Sequence, residues 1–311
     1  MLIYIGLALI AGFALSNQGP INSSLKYRIN SALWSAVTSQ TVGVLLLAIF
    51  TLSMSLGLFM PLSFVMTHPW WIWIGCFIGP IYMTFNIYLF QKLGSVQAVI
   101  LPILGQVIMG VLIDSFGWFD QAKLPISGIR MIGILVSVLG ILIVVVLPNH
   151  QKNATKTAST HPAKILLFWR ILGIFTGILI ATQQAVNSHL GMLVGSSVKA
   201  GFLSFFLGLL LIFCVCLAIE RKFPKKSSFR QVKPWNFLGG LCGAVFVVAV
   251  IIAVPKIGTG LNILLTLVGQ MIGSLLIQQF GWWKSPKEKV NREQILGVVV
   301  MIFGIICIKF M

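Results

Sequence analysis

Ten stretches of this chain are long, apolar and free of charge at their centres, and that pattern leaves few folds open. They fall at about 2–22, 32–58, 70–91, 95–113 and 130–147, and again at about 166–187, 200–219, 235–255, 257–280 and 294–310. A helix needs about 20 apolar residues to cross the hydrocarbon core of a bilayer. Lipid offers backbone N–H and C=O groups no partner, so each segment must satisfy its own as a helix. Composition agrees: charged residues make up 9% of 311 positions and the mean hydropathy is +1.01. A water-facing surface needs about 25% charged residues. The expected fold is an all-α integral membrane protein with ten transmembrane helices.

The flanks of these runs carry the marks of a membrane interface. Trp70, Trp71, Trp73, Trp118, Trp169, Trp235, Trp282 and Trp283 gather at run ends, where amphipathic rings settle at headgroup level. Residues 2–15 lack the basic leading region of a signal peptide and their pattern recurs at the sixth run. They are read as a retained first helix. The five cysteines lie in apolar runs without a CxxC, and are expected to pack as small apolar residues. No disulfide framework, metal site or cofactor is expected. The net charge of +17 would suggest nucleic acid in a soluble protein, but here the basic residues sit in short loops and fit a membrane topology signal instead.

A shift of about 165 residues lays the second half on the first. Gly12, Gln18, Asn22, Ser23 and Leu25 fall on Gly177, Gln183, Asn187, Ser188 and Leu190, and Ser39 and Gly43 on Ser204 and Gly208. GQVIMGVLIDSFGWF at 105–119 faces GQMIGSLLIQQFGWW at 269–283, and Gly133 and Gly140 face Gly297 and Gly304. Polar, Gly and Trp matches at one spacing establish a duplication. The expected units are 1–147 and 166–311, five helices each, joined by the polar linker 148–165.

An odd helix number inserts the second unit upside down, and the loop charges swap accordingly. The loop at 59–69 has no Lys or Arg, whereas its counterpart at 220–234 has six. Assigned by side, 17 of the 22 basic residues share the face of the odd-numbered loops and 5 lie opposite. Positive loops stay cytoplasmic, so both termini are expected outside. Inverted repeats meeting at mid-membrane are a recurrent architecture of secondary transporters, whose halves rock to open one site to each side in turn.

The GxxxxxQxxxN of the first run, its repeat in the sixth, and the GQ…FGW of the fourth and ninth runs resemble the YdcZ-type family of the drug/metabolite transporter superfamily. The chain looks like the fused two-unit form of that family over essentially its whole length. The resemblance implies a ten-helix exporter or uptake protein of the bacterial cytoplasmic membrane, acting on a small organic solute. A fused chain of this kind is expected to work as a monomer or a homodimer, with lipid and solute as its partners and no nucleic acid. Related small multidrug resistance proteins couple proton entry through a carboxylate in the first helix. Gln18 and Asn22 stand in the matching region here, so that coupling does not carry over.

Neutral polar residues within the runs are the candidates for solute contact. Gln18 and Asn22 lie four apart on one helical face with Pro20 between them, and Gln183 and Asn187 repeat the pair. Gln106 and Gln270 each follow a glycine near mid-depth. Tyr82 and Asn86 share a face of the third run, where the second half has Phe246 and Val250. Gln97 and Asn262 are weaker candidates. Such amides line a wet cavity or bond to neighbouring helices, and residue type alone fits both. The paired glycines Gly75/Gly79, Gly239/Gly243, Gly133/Gly140 and Gly297/Gly304 are expected to allow close helix packing. Asp114 and His189 are candidates for ion or proton coupling, but the bland expectation is a solvated interfacial carboxylate and an exposed loop-edge imidazole. His68, His150 and His161 are loop residues without metal-ligand spacing.

Three functions compete. A membrane enzyme acting on lipids would show clustered acid, base or metal-binding groups at the interface, and no cluster is evident. A lipid scramblase or a non-transporting scaffold is the alternative, because a headgroup groove resembles a solute cavity in sequence. Nucleotide-driven pumping lacks its GxxxxGK[ST] phosphate loop. A secondary transporter with a neutral, amide- and aromatic-lined cavity is the expectation.

Overall fold

A computed structural model describes the chain except residues 126, 154–162, 222, 225–229, 231, 286, 288, 310 and 311; side chains are also left undescribed at 83, 84, 86–88, 90–92, 94–100, 145–153, 163, 164, 308 and 309. The described residues form helices and short connections, with no strand among them. The helices are α1 (Leu2–Ile29), α2 (Ala32–Ser53), the short α3 (Leu62–Thr67), α4 (Ile74–Phe116), α5 (Gly128–Asn153), α6 (Ala163–Val194), α7 (Ser197–Glu220), α8 (Leu238–Ile257), α9 (Thr259–Phe280) and α10 (Arg292–Lys309). Among the described residues six helical segments are long and apolar enough to cross a membrane, and Trp70–Tyr82, Leu101–Phe116 and Gly128–Val144 are shorter apolar helices. The predicted linker at 148–165 lies mostly outside the described residues.

Local chemistry sets the helix ends, and it repeats at the spacing of the duplication. Ser31 caps α2 by accepting from the Trp34 amide, and Ser196 caps α7 by accepting from Lys199; a hydroxyl there satisfies an otherwise orphaned helix N–H. At the C-termini of α4 and α9, Gly117 and Gly281 adopt φ of 69° and 68°, and each amide returns to the carbonyl four residues earlier. Left-handed backbone of this kind suits glycine. A 3-10 turn precedes both α4 (Trp70–Trp73) and α8 (Pro234–Phe237).

The two halves are interleaved. α1 lies along α8 and α9, α6 along α4, α2 along α7 and α5 along α10. Glycine makes this possible: a Cβ on Gly12 would overlap the Thr266 carbonyl oxygen, and one on Gly177 the Pro102 carbonyl oxygen. At the α5–α10 crossing, Gly140 and Gly297 each face the other's carbonyl. The expected packing role of the paired glycines is what these contacts show.

In α4, the sequence predicts two runs where the backbone is helical from Ile74 to Phe116. Its two ends nevertheless face one stretch of α6. Gly75 and Gly79 lie against Asn187 and Gln183, whereas Leu101 lies against Gly173 and Gln106 against Gly177. A straight helix would hold Gly79 and Gly105 about 39 Å apart, yet both lie against a length of α6 of about 14 Å at 1.5 Å per residue. α4 therefore doubles back, and its two arms run in opposite directions. Its counterpart, α8 and α9, breaks openly at Gly258, with φ 82° and ψ 159°.

Candidate functional site

The amides of α1 and α6 reach across to the opposite half. Asn22 is buried with its Oδ1 against the backbone of Gly239, and Asn187 is buried with its Oδ1 against Gly75. Asn187 Nδ2 donates to Ser204 Oγ at 3.0 Å. Both Oδ1 atoms lack a conventional hydrogen bond, and their packing on glycine fits a weak Cα–H···O contact between helices. One turn away, the amide nitrogens of Gln18 and Gln183 sit over Gly243 and Gly79. Pro20, between Gln18 and Asn22, is accommodated within a continuous α1.

Gln106 and Gln270 occupy equivalent places on the second arm of α4 and on α9. Their main-chain nitrogens face Gly177 and Gly12, so each helix is held tightly while its glutamine side chain is half-buried. Among the described residues, the side-chain amides of Gln18, Gln106, Gln183 and Gln270 have no hydrogen-bond partner within the protein. An amide in that state inside a membrane protein must meet water or a bound solute. Tyr82 is half-buried on the first arm of α4. Asn86 and Gln97 fall outside the described side chains.

Asp114 departs from the expectation of a solvated carboxylate. It is 0% exposed and forms an ion pair with Arg130, at the start of α5. Its carboxylate also accepts from the amides of Thr259 at 2.7 Å and Gly260 at 2.9 Å. Arg130 in turn donates to the Leu124 carbonyl at 2.8 Å. Two forces converge: the first turn of α9 presents unpaired N–H groups and a positive dipole end, and a buried carboxylate needs a cation and donors. At the matching place in the second half, Gln294 donates to Gln278 at 3.3 Å.

His189 is also buried, at 7% exposure, where the sequence suggested an exposed edge. Its ring stacks on Trp71 with centroids 5.1 Å apart, and Nδ1 lies 3.5 Å from a carboxylate oxygen of the exposed Asp120. The reason is the Gly117 turn: positive φ at Phe119 and Asp120 folds this segment back over the end of α6.

Two polar contacts were not anticipated. Asn262 Nδ2 donates to Gln184 Oε1 at 2.8 Å, both residues being buried. Trp283 Nε1 donates to Asn17 Oδ1 at 2.7 Å. Neither Gln184 nor Asn17 has an amide at its repeat mate, Gly19 or Thr182, so a search for recurring residues passes over them.

The sequence profile of one family, described as "Putative inner membrane exporter, YdcZ", matches residues 3–143 and again 168–307. The chain belongs to that family. It is a multi-pass inner-membrane protein of a transporter family, and it contains the family unit twice. None of the curated proteins searched matches the chain. Among solved structures 27 chains match. One of them, a crystal structure, aligns over 98% of this chain and 97% of its own length, with a TM-score of 0.70 at 13% identity. At that identity the likeness concerns the fold.

Proposed function

We propose that the chain is a secondary transporter of a small organic solute, working by alternating access between two inverted five-helix repeats that together make ten passes. The observation that carries this reading is the set of unpartnered glutamine amides at equivalent places in interleaved halves: Gln18 and Gln183, Gln106 and Gln270. α1 pairs with α8 and α9 as α6 pairs with the two arms of α4. Bundles that mix elements of both halves, α1 with α8 and α9, and α6 with the two arms of α4, can rock against each other around a shared polar interior. Asn22 and Asn187, packed on opposing glycines, serve as the fixed contacts of each mouth. Gln106 and Gln270 offer hydrogen bonds to the solute from pseudo-symmetric positions.

Reconstitution into liposomes with a broad metabolite panel tests the reading. Gln106→Leu and Gln270→Leu should each lower transport at least ten-fold while membrane abundance stays normal, because an apolar isostere removes a solute hydrogen bond worth about 1.4 kcal/mol or more. No uptake or counterflow for any solute, with lipid scrambling present, would replace the transporter by a scramblase. In this reading both termini lie outside, as the loop-charge bias favours, and a reporter fused after Met311 that is active only in the cytoplasm would contradict that topology.

A further inference from the structure

Three residues on one face of α9 keep buried polar oxygens without a partner. Thr259 and Asn262 are 0% exposed and Thr266 is 4% exposed, and Thr259 Oγ1, Asn262 Oδ1 and Thr266 Oγ1 all lack hydrogen bonds. Their spacing of three and four residues stacks them on one helical face, and Gln270 extends the row by a further four. α9 is the most deeply enclosed of the membrane-crossing segments described, with 72% of its most apolar stretch buried against 28% for α1 and for α6. Polar atoms at that depth are expensive unless they find a hydrogen-bond partner; Asn262 Oδ1 can only accept, whereas the two threonine hydroxyls can accept or donate. Only Asn262 has a side-chain anchor, through its bond to Gln184.

Gln270 recurs in the first half as Gln106, but the rest of the row does not recur intact. The repeat mates of Thr259, Asn262, Thr266 and Gln184 are Ser95, Ala98, Pro102 and Gly19, which replace both amides and one hydroxyl. The charge environment of the row is also determined. The positive end of α9, which would attract an anion, is occupied by the Asp114 carboxylate. Arg130, whose guanidinium lies beside Gly260, is bound to that carboxylate.

We propose that Thr259, Asn262, Thr266 and Gln270 of α9, with Gln184 of α6, form a one-sided binding track for solutes that donate hydrogen bonds through hydroxyl or ammonium groups. This rests on the transporter reading and adds a solute class and an orientation: the donor face of the solute meets the second half, and anions are disfavoured. Polar positions one helical turn apart let a solute exchange partners stepwise as the bundles rock.

Cysteine accessibility tests the track without knowledge of the solute. The five native cysteines are replaced by alanine, and Asn262→Cys, Thr266→Cys and the control Val268→Cys, buried on the opposite face of α9, are made in the full chain in liposomes. The probes are the cationic 2-aminoethyl methanethiosulfonate and the anionic 2-sulfonatoethyl methanethiosulfonate. Cysteines at 262 and 266 should react with the cationic reagent, about ten-fold faster than with the anionic one after correction for intrinsic reactivity, while the cysteine at 268 stays slow. Thr266→Cys is nearly isosteric, so it keeps the test alive if Asn262→Cys does not fold. Equal rates at 268 and 266, no reaction at either track position, or equal rates for the two reagents would overturn the proposal. Solute uptake without labelling would remove the track alone; labelling without uptake of any solute would remove the transporter reading and leave the polar track.

Discussion

The same two positions hold an ion pair in one half of the protein and an amide pair in the other. Asp114 and Arg130 are 16 residues apart, as are Gln278 and Gln294, and the two pairs occupy repeat-equivalent sites. In the first half the carboxylate also caps the first turn of α9, so charge ties α4 and α5 to a helix of the opposite half. The second-half pair is neutral and longer, and Gln278 and Gln294 belong to that half alone. Duplication therefore preserved the geometry while divergence changed the strength. One end of the molecule is held by charges excluded from water, where interactions are strongest, and its equivalent by an ordinary amide contact.

The sharpest way to break this comparison is to remove the carboxylate. Asp114→Ala removes the carboxylate shared by Arg130 and the α9 N-terminus, and loss of one member of a buried pair is worth about 3–5 kcal/mol. Thermal unfolding in detergent should show that loss, whereas Gln278→Ala should shift the midpoint far less. Equal shifts would mean that the two ends are held alike. The double change Asp114→Gln with Arg130→Gln copies the second-half pair into the first and should recover part of the stability lost by Asp114→Ala.

Smaller effects are expected where the halves are alike. Gly12→Leu and Gly177→Leu place side chains into the carbonyls of Thr266 and Pro102, and should each destabilise by about 1–3 kcal/mol or more, in similar measure. A large difference between them, measured by the same unfolding assay, would show that one inter-half seam is looser. Smallest is Trp283→Phe, which gives the second half the aromatic of the first, Phe119. It removes the bond to Asn17 and should lower stability by about 1 kcal/mol.

Much of the fold was legible because its causes are local. Run length, interfacial Trp and loop charge announce a membrane-crossing helix from a short window, and the duplication shows in Gly and Gln positions that packing holds fixed. Several candidate residues stood out for the same reason: Gln18, Gln106, Gln183 and Gln270 lie on apolar helices where an amide is conspicuous. Asn262 also stood out, but its partner Gln184 did not, since nothing within one helix says which neighbour an amide will meet. Asp114 and His189 were seen as residues and misjudged in burial. Their shielding comes from the turn after Gly117 and from contacts made by other helices.

Apolar character by itself does not reveal which helix lies at the centre. α7 is more apolar than α9, yet α9 is the more enclosed of the two. Lipid and protein interior reward the same side chains, so hydropathy is blind to the difference between them. The amino-acid sequence by itself determined that this protein is helical, membrane-crossing and built from two copies of one unit. Tertiary structure decided which charges pair, which oxygens are left without donors and that α9 is enclosed, because each of these depends on what the opposite half brings alongside.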